Sequence, residues 1–177
     1  MATPEPITPD TKDWTWVLER PCPECGFDPA TVARDDLGPA IRDNAAGWPP
    51  VLRSAGATER PRGDVWSPTE YACHVRDVHR LFAERLGQML ADDGARFANW
   101  DQDVTAVQDR YDLQDPAEVG PALGEAAERV AAVYESVPDD AWSHRGVRSN
   151  GDVFTVETLG RYHLHDVVHH QWDVRPT

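Results

Sequence analysis

Apolar residues recur at helical spacing in four stretches of the chain. The first runs from about Ala30 to Leu52, where Leu37, Ile41, Trp48 and Leu52 form a stripe. Pro49 and Pro50 cannot donate backbone hydrogen bonds, so this helix should kink or end near Trp48. The second has the clearest start. Ser67-Pro68-Thr69-Glu70 places Ser at the N-cap, Pro at the first helical position and Glu at the third, a capping box. Its core face is Tyr71, Val75, Val78, Phe82, Leu86 and Met89, ending near Leu90. Asp115-Pro116-Ala117-Glu118 opens the third helix by the same logic, and Val119, Leu123, Val130, Val133 and Tyr134 carry it to about Val137. The fourth spans about Thr155 to Asp173.

Between these stretches the pattern breaks. Residues 53–65 read as a polar loop, and 91–114 as a long connection. Ser149-Asn150-Gly151-Asp152 is a tight-turn signal that predicts a small hairpin between His144 and Phe154. The sum is an all-α fold. It is a four-helix bundle with a long crossover between helices two and three and a hairpin before helix four. Residues 1–29 read as an N-terminal extension with a Cys-x2-Cys turn, and 30–177 as the bundle. Within the extension, 1–12 should be disordered. The apolar run Asp13-Trp14-Thr15-Trp16-Val17-Leu18 should lie against the body.

Composition narrows the partners. The 177 residues include 17 basic and 31 acidic side chains, a formal charge of −14. Nucleic acid and anionic membranes need cationic side chains to displace counterions, so neither is an expected partner. No apolar run approaches the ~18 residues of a membrane span. The first residues lack the basic and apolar regions of a signal peptide. Three cysteines do not make a disulfide framework. The expectation is a cytoplasmic protein acting on a small-molecule substrate, with a homodimer allowed.

Four of the seven histidines crowd into Tyr162–Trp172. His165 and His169 are four residues apart, so on a helix they stack on one face, with Cβ atoms roughly 5–6 Å apart. Two such imidazoles can converge on one ion. His163 and His170 lie on another face. Seven residues separate them, roughly 10 Å along the axis, so they cannot share an ion. On helix two, His74 falls inside the apolar arc between Leu81 and Val78, while His79 lies nearer its edge. His74, His165 and His169 together predict a divalent metal with an open coordination position. Zinc is the first choice, with nickel or iron as alternatives. Asp77, one turn from His74, is a candidate to orient an imidazole or to act as general base. Arg85, three turns along the face of His74, is a candidate to hold an anionic group.

Cys22-Pro23-Glu24-Cys25-Gly26 resembles half of a zinc knuckle. A closed structural site needs four ligands, and the remaining cysteine, Cys73, is predicted on helix two. The pair is therefore expected to shape a rigid turn, with a redox or second metal role as the alternative. The chain carries no phosphate loop, dinucleotide fingerprint or serine-nucleophile elbow.

Trp66-Ser67-Pro68-Thr69-Glu70-Tyr71-Ala72-Cys73-His74-Val75-Arg76-Asp77 resembles the second helix of the DinB/YfiT-like superfamily, with its tryptophan, histidine and aspartate. Gly151-Asp152-Val153-Phe154-Thr155-Val156 through His165-x3-His169 resembles that family's hairpin and last helix. The resemblance implies a four-helix bundle whose divalent metal is held by three side chains, mapped here onto His74, His165 and His169. It also implies chemistry with a low-molecular-weight thiol such as mycothiol or bacillithiol, in isomerases and S-transferases, or metal-dependent hydrolysis. One relative, a mycothiol-dependent maleylpyruvate isomerase, has a glutamate where His165 stands. The Lys-poor, Arg-rich composition fits a GC-rich, mycothiol-using bacterium. Three readings follow. A metal activates a thiol for transfer to an electrophile or for isomerisation, with Arg85, Arg161 and the Trp100-Asp101 loop holding the thiol. A metal activates water, with Asp77 as base. Or the bundle binds a metal or ligand without catalysis.

Overall fold

The computed structural model describes residues 7–9 and 13–175. The expected disordered tail over 1–12 falls mostly outside them. Thr8 is described, and it is tied down: its backbone N–H donates to the Asp64 carbonyl and its hydroxyl to the Asp64 carboxylate, both at 3.0 Å.

Four long elements form the bundle. Leu37–Ala46 (α1) is continued by Trp48–Leu52 (α2); Pro68–Ala91 is α3; Gln102–Gln108 (α4) lies in the crossover; Pro116–Glu135 is α5; Val156–Asp173 is α6. α1 packs against α5 and α6, and α3 packs against the same two, so α1 and α3 occupy opposite corners. The core is built from the predicted stripes: Leu37, Ile41 and Trp48 from the first, Val75, Val78, Leu86 and Met89 from the second, and Leu123 and Val130 from the third.

The first helix begins later than its apolar stripe predicts. Val32 and Ala33 are extended, and only isolated 3-10 turns precede Leu37. The Asp28 side chain caps the turn at Pro29–Thr31 by accepting from Ala30 N–H, which satisfies that segment locally. The break before the proline pair falls at Gly47. Pro49 and Pro50 then sit in the first turn of α2, where a missing N–H costs nothing. The capping box of α3 forms as written: Ser67 Oγ accepts from Glu70 N–H and Glu70 accepts from Ser67 N–H at 2.8 Å.

The crossover carries more structure than its polar sequence suggests. Ala95–Arg96 (β1) pairs in parallel with Arg145–Val147 (β2), which pairs antiparallel with Val153–Thr155 (β3). The predicted hairpin is thus the last two strands of a three-stranded sheet, turning at Gly151 with φ +96°. Gly146 is required there, because a Cβ would lie 2.2 Å from the Phe97 ring. Among the described residues no helix is long and apolar enough to cross a membrane.

Candidate functional site

α6 starts from the Thr155 cap and carries two interleaved i, i+4 pairs. Asp166 and His170 form one, His165 and His169 the other. The second pair is rotated by about 100° from the first. This rotation sends the pairs to different neighbours.

The first pair meets α3. His74 Nε2 lies 3.7 Å from Asp166 Oδ1, and His170 Nε2 lies 3.7 Å from the same oxygen. The rings of His74 and His170 are 4.7 Å apart and nearly perpendicular. One potential ligand atom from each of the three residues falls within 4.8 Å of the others. Separations of 3.7 Å are too long for hydrogen bonds. They are close to what ligands around one ion adopt.

The polar bookkeeping fits a cation. His74 is fully buried, and neither ring nitrogen has a hydrogen-bond partner. Asp166 Oδ1 is also buried without one. Leaving such a group unmatched costs about 1–3 kcal/mol, and ligation of a metal would offset it. Burial lowers the His74 imidazole pKa against the pull of Asp166, so a lone pair is available at neutral pH. Burial acts upward on the Asp166 carboxyl, but the neighbouring His74 and then His170 imidazoles hold it below the usual carboxylate range. His170 Nδ1 donates to Asp173 Oδ2 at 2.9 Å, which places the imidazole lone pair on Nε2, the atom facing Asp166. His74 is flanked by the Trp66 and Trp100 rings at 5.2 and 5.5 Å. Two imidazoles and one carboxylate suit zinc or iron(II).

Asp166 and His170 line an open pocket of about 700 Å³. Trp14, Trp66, Tyr71, Trp100 and Tyr162 contribute its aromatic walls, and Arg62 and Arg148 its positive charge. This volume suits a ligand of drug-like size.

The second pair of α6 faces the N-terminal segment. His165 and His169 group with Cys22 and Cys25, again with ligand atoms within 4.8 Å of one another. The expected trio is therefore divided. His74 belongs to one group, and His165 and His169 to the other. His170, set aside in the sequence on its spacing from His163, joins His74; His163 does not. It is buried in the core, with Nε2 at 3.0 Å from His79 Nδ1 and Nδ1 at 3.4 Å from the Tyr134 hydroxyl.

Asp77 and Arg85 are not among the residues that line the pocket. Asp77 takes two bonds from Arg76 at 2.9 Å, one from Arg80 at 3.0 Å and one from the Tyr111 hydroxyl at 2.6 Å. Burial acts upward on its carboxyl, and those partners hold it below its ordinary value. Arg85 lies over the Phe82 and Phe97 rings and reaches the Ala98 carbonyl. Arg161 donates to the Val32 carbonyl and pairs with Glu157. Trp100 and Asp101 do line the pocket, with Asp101 also capping α4. The missed residues, Asp166 and His170, had a signal: the same i, i+4 spacing, one residue further on.

Residues 42–174 match the model of the DinB superfamily. The chain belongs to this superfamily. The solved structure of YfiT from Bacillus subtilis, described as a probable metal-dependent hydrolase with an unusual four-helix bundle topology, is similar in fold. Its TM-score is 0.70 at 16% identity, over 84% of this chain and 91% of that one. No curated protein matches the sequence.

Proposed function

We propose that this DinB-superfamily chain is a metal-dependent enzyme that presents a low-molecular-weight thiol to a small electrophile, with His74, Asp166 and His170 holding a divalent ion at the pocket. The observation that carries the metal reading is the convergence of these three residues with both His74 nitrogens buried and unpartnered. The description of YfiT as a probable metal-dependent hydrolase supports it. Zinc is the first choice, with iron or nickel as alternatives. A bound cation supplies a Lewis-acid centre that favours the anionic form of a nucleophile.

The chain's own residues do the rest. Asp173 orients His170, Trp66 and Trp100 flank His74, and Asp166 lowers the net charge of the site by one. The aromatic walls offer apolar faces to a carbon electrophile, while Arg62 and Arg148 favour an anionic group on the thiol or its acceptor.

Two arguments favour a thiol over water. A thiol ionises near pH ~8.5 and water only near ~15.7, so the thiol asks far less of a general base. Asp77, the base the sequence suggested, is committed to Arg76, Arg80 and Tyr111. Glu24, Asp64, Asp101 and Asp173 on the lining are engaged too. The second argument is the resemblance of the two ligand-bearing helices to a superfamily that includes thiol-dependent isomerases and S-transferases.

The test is a conjugation assay with mycothiol, bacillithiol, glutathione and cysteine against a bimane electrophile. Metal-loaded protein should exceed His170→Ala by orders of magnitude with at least one thiol. Equal rates across the panel, with metal-dependent cleavage of esters or amides instead, would replace this reading with a hydrolase.

A further inference from the structure

The other pair on α6 makes a second constellation, which the proposed reaction does not use. Cys22 and Cys25 sit in a tight turn: Cys22 N–H donates to the Phe27 carbonyl at 2.8 Å, and Gly26 N–H to the Cys22 carbonyl at 2.9 Å. Gly26 adopts φ +77°, a left-handed conformation that costs glycine little. The turn thereby points both sulfurs at α6. Cys22 Sγ is 3.8 Å from His169 Nδ1. The other nitrogen of that ring, Nε2, lies 3.3 Å from Glu24 Oε2, so the residue between the cysteines holds the imidazole with Nδ1 turned toward them. His165 is 3% exposed, its Nε2 has no hydrogen-bond partner, and Phe27 and Trp14 pack against its ring. Cys22 is buried and Cys25 half-buried, and both are free thiols.

We propose that Cys22, Cys25, His165 and His169 form a structural zinc site that fastens the N-terminal segment to α6. Two thiolates and two imidazoles are a complete tetrahedral set. Bond lengths of about 2.3 Å to sulfur and 2.0–2.1 Å to nitrogen put neighbouring ligand atoms roughly 3.3–3.8 Å apart. The four atoms here, all within 4.8 Å, need only a small closure to reach that geometry. Four protein ligands leave no open position, which separates this site in kind from the three-residue group beside it. On binding, the two thiols release their protons to solvent. The consequence reaches the pocket, because Trp14 and Glu24 of the fastened segment line it. α6 then serves two ions through two adjacent i, i+4 pairs, and His165 and His169 of the closed site line the same pocket as Asp166 and His170.

Cobalt(II) substitution of the full-length protein tests this without any variant. Sulfur-to-cobalt charge-transfer absorption and intense tetrahedral d–d bands are expected in the wild type. They should persist in His170→Ala, which removes only a ligand of the pocket group, and vanish in Cys22→Ser with helix content retained. Elemental analysis should find one zinc fewer in Cys22→Ser than in wild type. Failure of the pocket reading would leave the His170→Ala metal count equal to that of wild type, with the sulfur bands intact. A reduced, folded wild type that gives no sulfur-to-cobalt band, or whose Cys22 and Cys25 titrate freely with zinc present, would overturn the structural site. A Cys22–Cys25 disulfide in protein purified under reducing conditions would overturn it as well.

Discussion

His165 and Asp166 are adjacent in sequence and belong to different clusters: His165 joins Cys22, Cys25 and His169, and Asp166 joins His74 and His170. A one-residue step turns a helix by about 100°. On α6 that step separates a group that meets α3 from one that meets the N-terminal turn. Substitutions at these neighbours should therefore have unlike effects. Asp166→Ala should abolish thiol conjugation while leaving the sulfur-coordinated metal in place. His165→Ala should do the reverse in metal content and lower thermal stability. Matching losses of both metals in both variants would show a single shared site.

The orientation of His170 by Asp173 gives a graded test. The 2.9 Å bond from Nδ1 fixes which ring nitrogen carries the proton. Removing such an outer partner typically costs 10–100-fold in metal affinity or activity. Asp173→Asn keeps the shape and weakens the acceptor, so metal affinity at the pocket should fall by about that factor with folding intact. Competition titration with a chromophoric chelator reads this directly, and an unchanged affinity would contradict the role given to Asp173.

Asp77 should prove structural. It compensates buried Arg76 and accepts from the buried Tyr111 hydroxyl. Truncating one partner of a buried charge pair strands the other, at about 3–5 kcal/mol. Asp77→Ala should therefore melt far earlier in urea, yet turnover per folded molecule should stay near wild type. A large drop in turnover with stability unchanged would restore Asp77 to the reaction.

What the sequence made legible was local. The capping box at Ser67 and Glu70, the turn at Gly151 and the inward face carrying His74 each depend on a few neighbouring residues, and each formed. What it concealed was which face of α6 meets which partner. Two i, i+4 pairs lie side by side there. Histidine pairs attract attention as ligands, while Asp166 reads as a helix charge until His74 is seen across from it. The fate of Cys22 and Cys25 was hidden for the same reason. Cys22 and His169 are 147 residues apart, and only the packing of the N-terminal segment on α6 unites them. The strand Ala95–Arg96 had no chance of showing, since two residues carry no period.

The buried pair of His79 and His163 sets a pH dependence on folding. Both imidazoles are fully buried, with His79 Nδ1 and His163 Nε2 3.0 Å apart. Burial drives the His79 pKa from 6.5 down to about 4, and burial together with the charge of His79 drives His163 lower as well. Above the unfolded value of about 6.5 both states are neutral and the pair has no effect on stability. Below it the unfolded chain binds protons that the folded chain refuses, so stability falls with pH until the folded His79 itself titrates near 4. A shift from 6.5 to about 4 corresponds to about 3 kcal/mol for His79, of which about 2 should be lost by pH 5. Replacing both residues by leucine removes the titration without leaving one ring unpartnered. Urea unfolding at pH 7 and pH 5 should thus show a loss in wild type larger than that of His79→Leu/His163→Leu by about 2 kcal/mol or more. The seven residues of the two clusters are present in both proteins, so their contribution cancels in the difference. Equal losses in the two proteins would mean that the acid sensitivity of this fold lies in the clusters and not in the core.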